Sequence, residues 1–108
     1  MDQAGFVRDC VVTIAADDYE NFELIFEEAK CVAAIRGIVV NEAEVAEALR
    51  RAIGDGLMDA YVLSPQPPHS TKVEYDPDRL HELWFYVTPH GKSTAKGIPE
   101  LSGEFPSR

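Results

Sequence analysis

The sequence predicts an α+β domain in which two or three helices pack on a small antiparallel sheet, with an extra strand near the N-terminus. Two observations lead to this fold class. Residues 19–36 and 42–53 carry apolar side chains at helical spacing, whereas residues 58–63 and 83–88 are rich in β-branched and aromatic side chains. At 108 residues, of which 45% are hydrophobic, the chain is long enough for one core. We therefore expect a single domain over residues 1–108, with a loosely ordered tail from about residue 98.

The first element is predicted to be a strand that begins near Arg8. The stretch FVRDCVVTI is rich in residues that favour strands, and Cys10, Val12 and Ile14 alternate onto one side of it. Such alternation is typical of a half-buried strand. This strand would add an apolar face to the sheet before the first helix begins.

The second element is predicted to be a long helix over residues 19–36, capped by Asp17 or Asp18. Its apolar side chains recur at the spacing of one helix face, namely Phe22, Ile25, Phe26, Ala29, Val32 and Ala33. Gly37 is a natural stop for this helix. A break near Cys31 would divide the helix in two, and periodicity leaves both forms open.

The clearest helix begins after Asn41. The Asn41 side chain can accept a hydrogen bond from a backbone N–H of the first turn, and Glu44 can complete a capping box. The core stripe of this helix consists of Val45, Leu49, Ala52 and Ile53, flanked by Ala46 and Ala48. Glu47 and Arg51 are spaced for an ion pair on the opposite side.

Two strands and a loop are predicted to follow this helix. Gly54 and Gly56 supply the left-handed residue that ends it, and residues 58–63 then form a strand. The prolines of SPQPPH predict a loop, after which residues 72–75 return briefly to strand. Residues 83–88 (LWFYVT) give the strongest strand signal in the chain.

Both faces of this last strand are largely apolar. Leu83, Phe85 and Val87 share one face, whereas Trp84 and Tyr86 share the other. A sheet that carries helices on one side needs only one apolar face. We therefore expect the second face to meet either another molecule or the N-terminal segment 6–14.

A short helix is predicted to follow, because Thr88 and Pro89 suit an N-cap and a first helical position. No motif in the sequence carries catalytic chemistry. Residues 91–94 (GKST) resemble the end of a phosphate-binding loop, but Tyr86 occupies the position where that loop needs its first glycine. Three histidines lack partners at metal-ligand spacing, namely His69, His81 and His90. We therefore predict no catalytic, cofactor-binding or metal-binding residue.

Charge and composition argue against several classes of protein. The formal net charge is −9, and residues 1–64 carry 13 acids against 5 bases, so the basic surplus that binds phosphates is missing. No apolar run reaches the ~18 residues of a membrane span and no signal peptide opens the chain, which predicts a cytoplasmic protein without membrane contact. Cys10 and Cys31 match no CxxC motif and are predicted to be buried free thiols, unless the fold joins them in a disulfide.

The order of elements resembles a known family. Residues 45–61 (VAEALRRAIGDGLMDAY) and 85–92 (FYVTPHGK) resemble the winged helix-turn-helix domains of MarR- and PadR-like regulators, and the resemblance covers residues 19–97. It implies that the first stretch is a recognition helix running into the first strand of a wing. The second stretch would be the return strand followed by a C-terminal helix. The family's middle helix would come from the C-terminal part of residues 19–36 or be missing.

The outward side of the implied recognition helix is electrically balanced. Helices that read DNA usually present basic and amide side chains, but the outward set here is Glu44, Glu47, Arg50 and Arg51. We therefore expect a non-enzymatic winged-helix-like module that acts through protein–protein contacts, with a DNA-binding transcriptional regulator as the alternative. The expected partner is a second copy, in a homodimer, or another protein. The candidate interaction surface consists of Trp84, Tyr86, Arg50 and Arg51.

Overall fold

The structure, a computed structural model, describes residues 3–16 and 18–95. In chain order the elements are α1 (Gln3–Ile14), β1 (Glu20–Asn21), α2 (Phe22–Ile35), α3 (Glu42–Gly54), β2 (Met58–Leu63), β3 (Ser70–Val73), a 3₁₀ helix (Pro77–Glu82), β4 (Trp84–Val87) and α4 (Pro89–Thr94). The helices pack on a four-stranded antiparallel sheet of order β1-β4-β2-β3. The α+β fold class is confirmed, and the architecture is compatible with a winged-helix-like small domain. The predicted cap at Asp17 and the predicted tail lie outside the described residues.

The N-terminal segment forms the helix α1, so the prediction of a strand from Arg8 was wrong. The buried side chains of α1 include Phe6, Val7, Cys10, Val11 and Ile14, which recur at helical spacing. Because Cys10, Val12 and Ile14 also alternate, the segment fits the period of a strand as well as that of a helix. Its β-branched composition then favoured the wrong prediction of a strand. Tertiary packing decides the outcome, because α1 lies against α3 and α2 and buries its apolar face there.

The helix α2 starts later than predicted. Its N-cap is Asn21, whose side-chain oxygen accepts from the Leu24 backbone N–H at 2.9 Å. Asp18 does not cap it, because the intervening β1 pairs with β4 and holds the chain extended up to Asn21. The helix continues without a break through Cys31. The whole of α2 therefore forms the helix directly before α3, and its C-terminal part is not a separate helix. The further helix that packs with α2 and α3 is α1.

Both α2 and α3 end at a left-handed glycine. Gly37 has a φ of 75° and Gly56 a φ of 77°, which non-glycine residues rarely adopt. Just beyond them, the Ile38 and Leu57 backbone N–H groups donate back to the last turn at 2.7 Å and 2.9 Å. At the start of α3 the predicted capping box is present, with Asn41 and Glu44 exchanging bonds of 2.9 Å and 3.0 Å.

The core lies between the helices and one face of the sheet. Phe85 at the centre of β4 is directly opposite Glu20 of β1 and Ala60 of β2. The buried sheet residues Met58, Ala60, Phe85 and Val87, together with Leu83 just before β4, meet buried helix residues that include Phe22, Ile25, Val45 and Leu49. The predicted apolar stripes of α2 and α3 are thus confirmed, although Phe26, Ala46 and Ile53 are only half-buried.

The short helix α4 is fastened to the turn between α3 and β2. Thr88 caps α4 as predicted by accepting from the Gly91 backbone N–H at 2.9 Å, and its hydroxyl donates to the Gly56 carbonyl at 2.6 Å. The Thr88 backbone N–H donates to the Leu57 carbonyl at 3.0 Å. A Cβ atom on Gly91 would lie 2.0 Å from that same Leu57 oxygen. Gly91, the glycine of GKST, therefore permits α4 to pack closely against Leu57.

Among residues 3–16 and 18–95, no helix combines the length and apolar character that crossing a bilayer would demand.

Candidate functional site

The first candidate surface is the outer face of the sheet, which points away from the core. In β4 the buried Phe85 and Val87 alternate with Trp84 and Tyr86, which are half-buried. Tyr61 of β2 lies directly opposite Trp84, and so it belongs to the same face. The predicted division of β4 into two faces is confirmed, and these three rings keep part of their surface in solvent.

Tyr19 lies across this outer face. Its ring centroid is 5.0 Å from that of Tyr61, in an edge arrangement of 87°, and 5.0 Å from that of Tyr86. Its hydroxyl oxygen is 3.1 Å from that of Ser70 in β3. Intramolecular cover of this face therefore comes from Tyr19. The expected alternative, cover by segment 6–14, was wrong because α1 packs with the other helices.

Burial also sets the chemistry of the outer face. It raises the pKa of the Tyr61 hydroxyl, and the charge of Asp59 together with Tyr19 and Tyr86 raises it further. Tyr61 is therefore an uncharged hydrogen-bond donor at neutral pH. The Asp59 carboxylate lies 3.5 Å from the Lys72 ammonium, so these two charges are paired. The outer face can thus bind through ring contacts and neutral hydroxyl groups.

The second candidate surface is the solvent side of α3. Arg50 contacts both carboxylate oxygens of Glu47, with Nε at 2.9 Å and Nη2 at 2.6 Å. Arg51 donates from Nε to the same carboxylate at 3.0 Å. The two guanidinium groups lower the pKa of Glu47 to about 2, because they favour its charged form. Glu47 therefore remains ionised at physiological pH and offsets part of the positive charge of both arginines.

The four residues of the predicted interaction surface do not form one surface. Trp84 and Tyr86 project from the outer face of the sheet, whereas Arg50 and Arg51 lie on exposed positions of α3 in the helical layer. A partner protein whose interface has the ordinary size and covers the rings would therefore not have Arg50 and Arg51 at the centre of that interface. We treat the outer face and the α3 surface separately.

Two residues of the outer face were missed from the sequence. Tyr61 could have been found, because it alternates with the buried Met58 and Ala60 in a strand whose bounds were predicted correctly. The sequence pattern places Tyr19 at the start of the predicted long helix. No local signal places it over the sheet, since its position depends on the pairing of β1 with β4.

A third feature is a group of exposed apolar side chains on α2 and the segment after it. Leu24, Ile35 and Val39 are the large hydrophobic residues that the described part of the chain exposes most. Cys31 on the same helix is also exposed, so the prediction of two buried thiols holds only for Cys10. No disulfide joins Cys10 and Cys31.

Shallow cavities occur along the helical layer. A groove of about 310 Å³ runs between α1 and α3, with Ala4, Val7 and Ala48 contributing apolar surface and Glu44 and Arg51 contributing charge. A second cavity of about 270 Å³ lies beside α4. Within residues 3–16 and 18–95, no group of three or more side chains with metal-binding atoms is assembled.

One histidine makes a specific contact in the acidic half of α2. His81 Nδ1 lies 2.5 Å from Glu23 Oε1, and its ring stands edge-on to Phe22 with a centroid distance of 5.3 Å. This hydrogen bond lowers the pKa of the Glu23 carboxyl. The contact joins the 3₁₀ helix to α2 on an exposed side of the domain. This structural role is enough to explain the contact.

Comparison of the chain with protein-family models, with curated proteins and with solved structures gave no match.

Proposed function

We propose that this chain is a non-enzymatic, winged-helix-like cytoplasmic module that acts through protein–protein contacts, with a second copy of itself among its partners. The observation that carries the proposal is the aromatic outer face of the sheet. Trp84, Tyr61 and Tyr86 are half-buried there, on strands whose other face already fills the core. Tyrosine and tryptophan are enriched at protein interfaces, because each combines a large apolar ring with one polar group.

The charge of the molecule is consistent with a protein partner. The net charge of −9 disfavours approach to phosphates and membranes of like charge, whereas it leaves apolar contact at short range available. The outer face adds to this with paired charges and neutral hydroxyl groups. Burial of aromatic surface contributes roughly 25 cal/mol for each Å² removed from water, which supports association without net charge attraction.

A DNA-binding transcriptional regulator is the second candidate. The element order, with α2 and α3 followed by the β2–β3 hairpin and β4, favours it, since helix-turn-helix proteins place the second helix of such a pair in the major groove. The binding of Arg50 and Arg51 to Glu47 opposes it, because both cations of α3 are already engaged by one carboxylate. Fold alone does not determine function, and the charge pattern therefore has more weight.

The two candidates are separated by titrating the protein into labelled duplex DNA over a range of salt concentrations. We expect no specific binding at physiological salt and no steep dependence on salt, because few counterions would be released. Sub-micromolar binding that is weakened by Arg50→Ala and Arg51→Ala would reverse the ranking. Glu47→Ala is the informative variant, since it releases both arginines without adding a positive residue.

The outer face itself is tested with the intrinsic fluorescence of Trp84, the one tryptophan of the chain. Occupation of this face by a protein partner would remove Trp84 from water and shift its emission to shorter wavelength. Measured by calorimetry, since Trp84→Phe removes the fluorescent ring, Trp84→Phe with Tyr86→Ala should abolish binding of that partner, whereas Arg79→Ala, on the exposed 3₁₀ helix, should not. A partner bound equally well by all variants would reject the outer face as the contact surface.

A further inference from the structure

The strand β3 forms one edge of the sheet, and part of its backbone is unpaired. Along an antiparallel pair, residues that exchange backbone bonds with the neighbouring strand alternate with residues whose N–H and C=O groups point away from it. A bond of 2.9 Å from the Ser64 N–H to the His69 carbonyl sets the phase of this alternation between β2 and β3. With the observed register, Thr71 bonds to β2, whereas Ser70 and Lys72 direct their backbone groups outwards. Nothing within residues 3–16 and 18–95 bonds to these outward groups.

The open edge continues beyond the last residue of β3. Glu74 follows β3 directly, and the chain is still extended at Asp76, with a φ of −128° and a ψ of 110°. The alternation therefore directs the backbone groups of Glu74 outwards as well. The other edge strand, β1, has only two residues and runs directly into α2. Because unpaired edges are templates for a further strand, β3 is the edge of this sheet that is suited to pairing.

A shallow apolar groove of about 410 Å³ lies beside this edge. Ile53 at the end of α3, Val73 of β3 and Tyr75 just beyond β3 line it, and all three are half-buried. Val73 is opposite the buried Ala60, which places its side chain on the core face of the sheet. The Tyr75 ring is 6.3 Å from the ring of the buried Phe85. A strand added to β3 would therefore place every second side chain over apolar surface.

Opposite charges flank Val73 in the sequence. The Lys72 ammonium lies 3.5 Å from the Asp59 carboxylate, whereas Glu74 forms no ion pair with any residue of the described part of the chain. Arg50 of α3 is already bound to a carboxylate of its own helix. Glu74 therefore lacks a cation, and the three N–H donors of a lysine ammonium allow Lys72 to contact a second carboxylate besides Asp59.

We propose that β3 pairs with β3 of a second copy in antiparallel orientation, about a two-fold axis at Val73, so that the two sheets become one. This inference rests on the proposed function, that the chain works through protein contacts with a second copy among its partners, and names the surface that joins the copies. On this axis Lys72 lies opposite the partner's Glu74, and Glu74 lies opposite the partner's Lys72. The residues of each pair exchange backbone hydrogen bonds, because both direct their N–H and C=O groups outwards.

Charge and backbone chemistry select this register and this occupant. An axis at Lys72 would oppose two cations, and like charges directly opposite each other in a sheet are destabilising. An axis at Thr71 would set Glu74 opposite the partner's Pro68, which has no N–H to donate. The axis at Val73 instead forms two pairs of opposite charge and joins two apolar side chains between them. A second copy fits, because a two-fold interface must be complementary to itself and residues 72–74 satisfy that condition.

Sedimentation equilibrium of the full chain tests the charge pairing. Lys72→Glu and Glu74→Lys each make both cross-strand pairs repulsive, and so each should weaken the dimer by at least roughly tenfold. The two variants should associate when mixed, because each supplies the charge that the other lacks. Lys72→Glu combined with Glu74→Lys keeps the net charge and should restore the dimer. Arg79→Glu, at an exposed position of the 3₁₀ helix, is the matched control for Lys72→Glu and should dimerise as wild type does. Circular dichroism of each variant checks that the fold is retained.

Disulfide formation tests the register. In a Cys31→Ser background, Val73→Cys chains should oxidise to a covalent dimer. Residues opposite each other at such a position of an antiparallel pair have Cα atoms about 4.5 Å apart, which suits a disulfide. Thr71→Cys chains should not form one, since the two copies of position 71 would be about 14 Å apart along the strands. Cys10 is buried and should not react.

The possible results separate this inference from the proposed function. A dimer that is insensitive to Lys72→Glu and Glu74→Lys but is lost on Trp84→Ala would overturn the β3 interface and retain the outer face. Faster oxidation of Thr71→Cys chains than of Val73→Cys chains would overturn the register. A wild-type chain that stays monomeric at all accessible concentrations rejects a second copy as the occupant of β3. The fluorescence experiment on the outer face still decides in that case whether another protein binds there.

Discussion

The hydroxyl oxygens of Tyr19 and Ser70 are 3.1 Å apart, although 51 positions separate the two residues in the sequence. Tyr19 precedes the strand at one edge of the sheet, and Ser70 opens the strand at the other edge. The Tyr19 ring lies over Tyr61 and Tyr86 on the way. One side chain therefore links both edges of the sheet and covers part of the outer face.

Replacing Tyr19 should destabilise the domain and expose the outer face. Tyr19→Ala removes two ring contacts and one hydrogen bond, for which we expect a loss of roughly 1–3 kcal/mol in the free energy of unfolding in urea. Tyr19→Phe removes the hydroxyl group alone and should cost about 0.5–1.5 kcal/mol. Equal stability of the Ala and Phe variants would show that the ring contacts contribute nothing. If Tyr19→Ala also exposes the Trp84 ring to water, the Trp84 emission should move to longer wavelength.

The core position of Leu49 gives a second prediction. Leu49 is completely buried in α3, and truncation leaves a cavity that the surrounding helices and sheet fill only in part. Leu49→Ala should lower the free energy of unfolding by about 2–5 kcal/mol. Leu24→Ala, with the same chemistry at an exposed site, should change the stability of the monomer by less than about 0.5 kcal/mol. Equal effects of the two substitutions would contradict the assigned helix faces.

Gly91 is expected to tolerate no side chain. A Cβ atom at this position would lie 2.0 Å from the Leu57 carbonyl oxygen, and backbone atoms cannot move aside as a flexible side chain can. Gly91→Ala should therefore destabilise the domain by about 1–3 kcal/mol, the range for overpacking. Gly54 is the matched control, since a Cβ there meets nothing within 4 Å. Gly54→Ala, near the end of α3, should be neutral or stabilising by up to about 1 kcal/mol.

Glu20 and Glu23 should give opposite dependences on pH. Burial raises the pKa of Glu20, with added effects from Glu28 and Asp18, so its ionised form disfavours the folded state. Glu20→Gln should be more stable than wild type at neutral pH, by up to about 0.5 kcal/mol. This advantage should shrink as pH falls through the raised pKa, because protonation then relieves the wild-type carboxylate.

For Glu23 the sign is reversed. The hydrogen bond with His81 lowers its pKa, so its contribution to stability is present above the ordinary carboxyl pKa and is lost as pH falls through the lowered value. Glu23→Gln should be less stable than wild type at neutral pH, and the two should converge in acid. Urea unfolding curves at several pH values measure both differences. Parallel curves for wild type and either variant would contradict the corresponding pKa direction.

The parts of the fold that were predicted correctly depend on short-range chemistry. Asn41 with Glu44 predicts its capping box, the glycines predict both helix ends, and Thr88 with Pro89 predicts the start of α4. Each of these signals acts within a few residues, and at these positions no long-range strand pairing competes with it as it does at Asp18. The apolar periods of α2 and α3 are also strong enough to place their buried faces.

The wrong predictions concern segments whose structure is determined by contacts with residues far away in the sequence. The segment before Ile14 satisfies both a strand pattern and a helix pattern, and its contact with α3 selects the helix. The start of α2 is delayed to Asn21 because β4, far along the chain, pairs with the residues before it. For the same reason the predicted interaction surface did not include Tyr19. Trp84 and Tyr86 could be assigned to one face from alternation, whereas Tyr19 joins them only through that long-range pairing.

The central place of β4 in the sheet has a consequence for how the chain folds during synthesis. Translation proceeds from the N-terminus, so β1 and β2 leave the ribosome long before the strand that must lie between them. β2 can pair with β3 as a local hairpin, but β1 gains its partner only when β4 has emerged. Contacts between such distant segments slow folding, and until then the apolar faces of α1 and α2 lack the completed sheet. A nascent chain stalled before Trp84 should therefore remain sensitive to protease, and protection should appear abruptly once β4 is outside the exit tunnel.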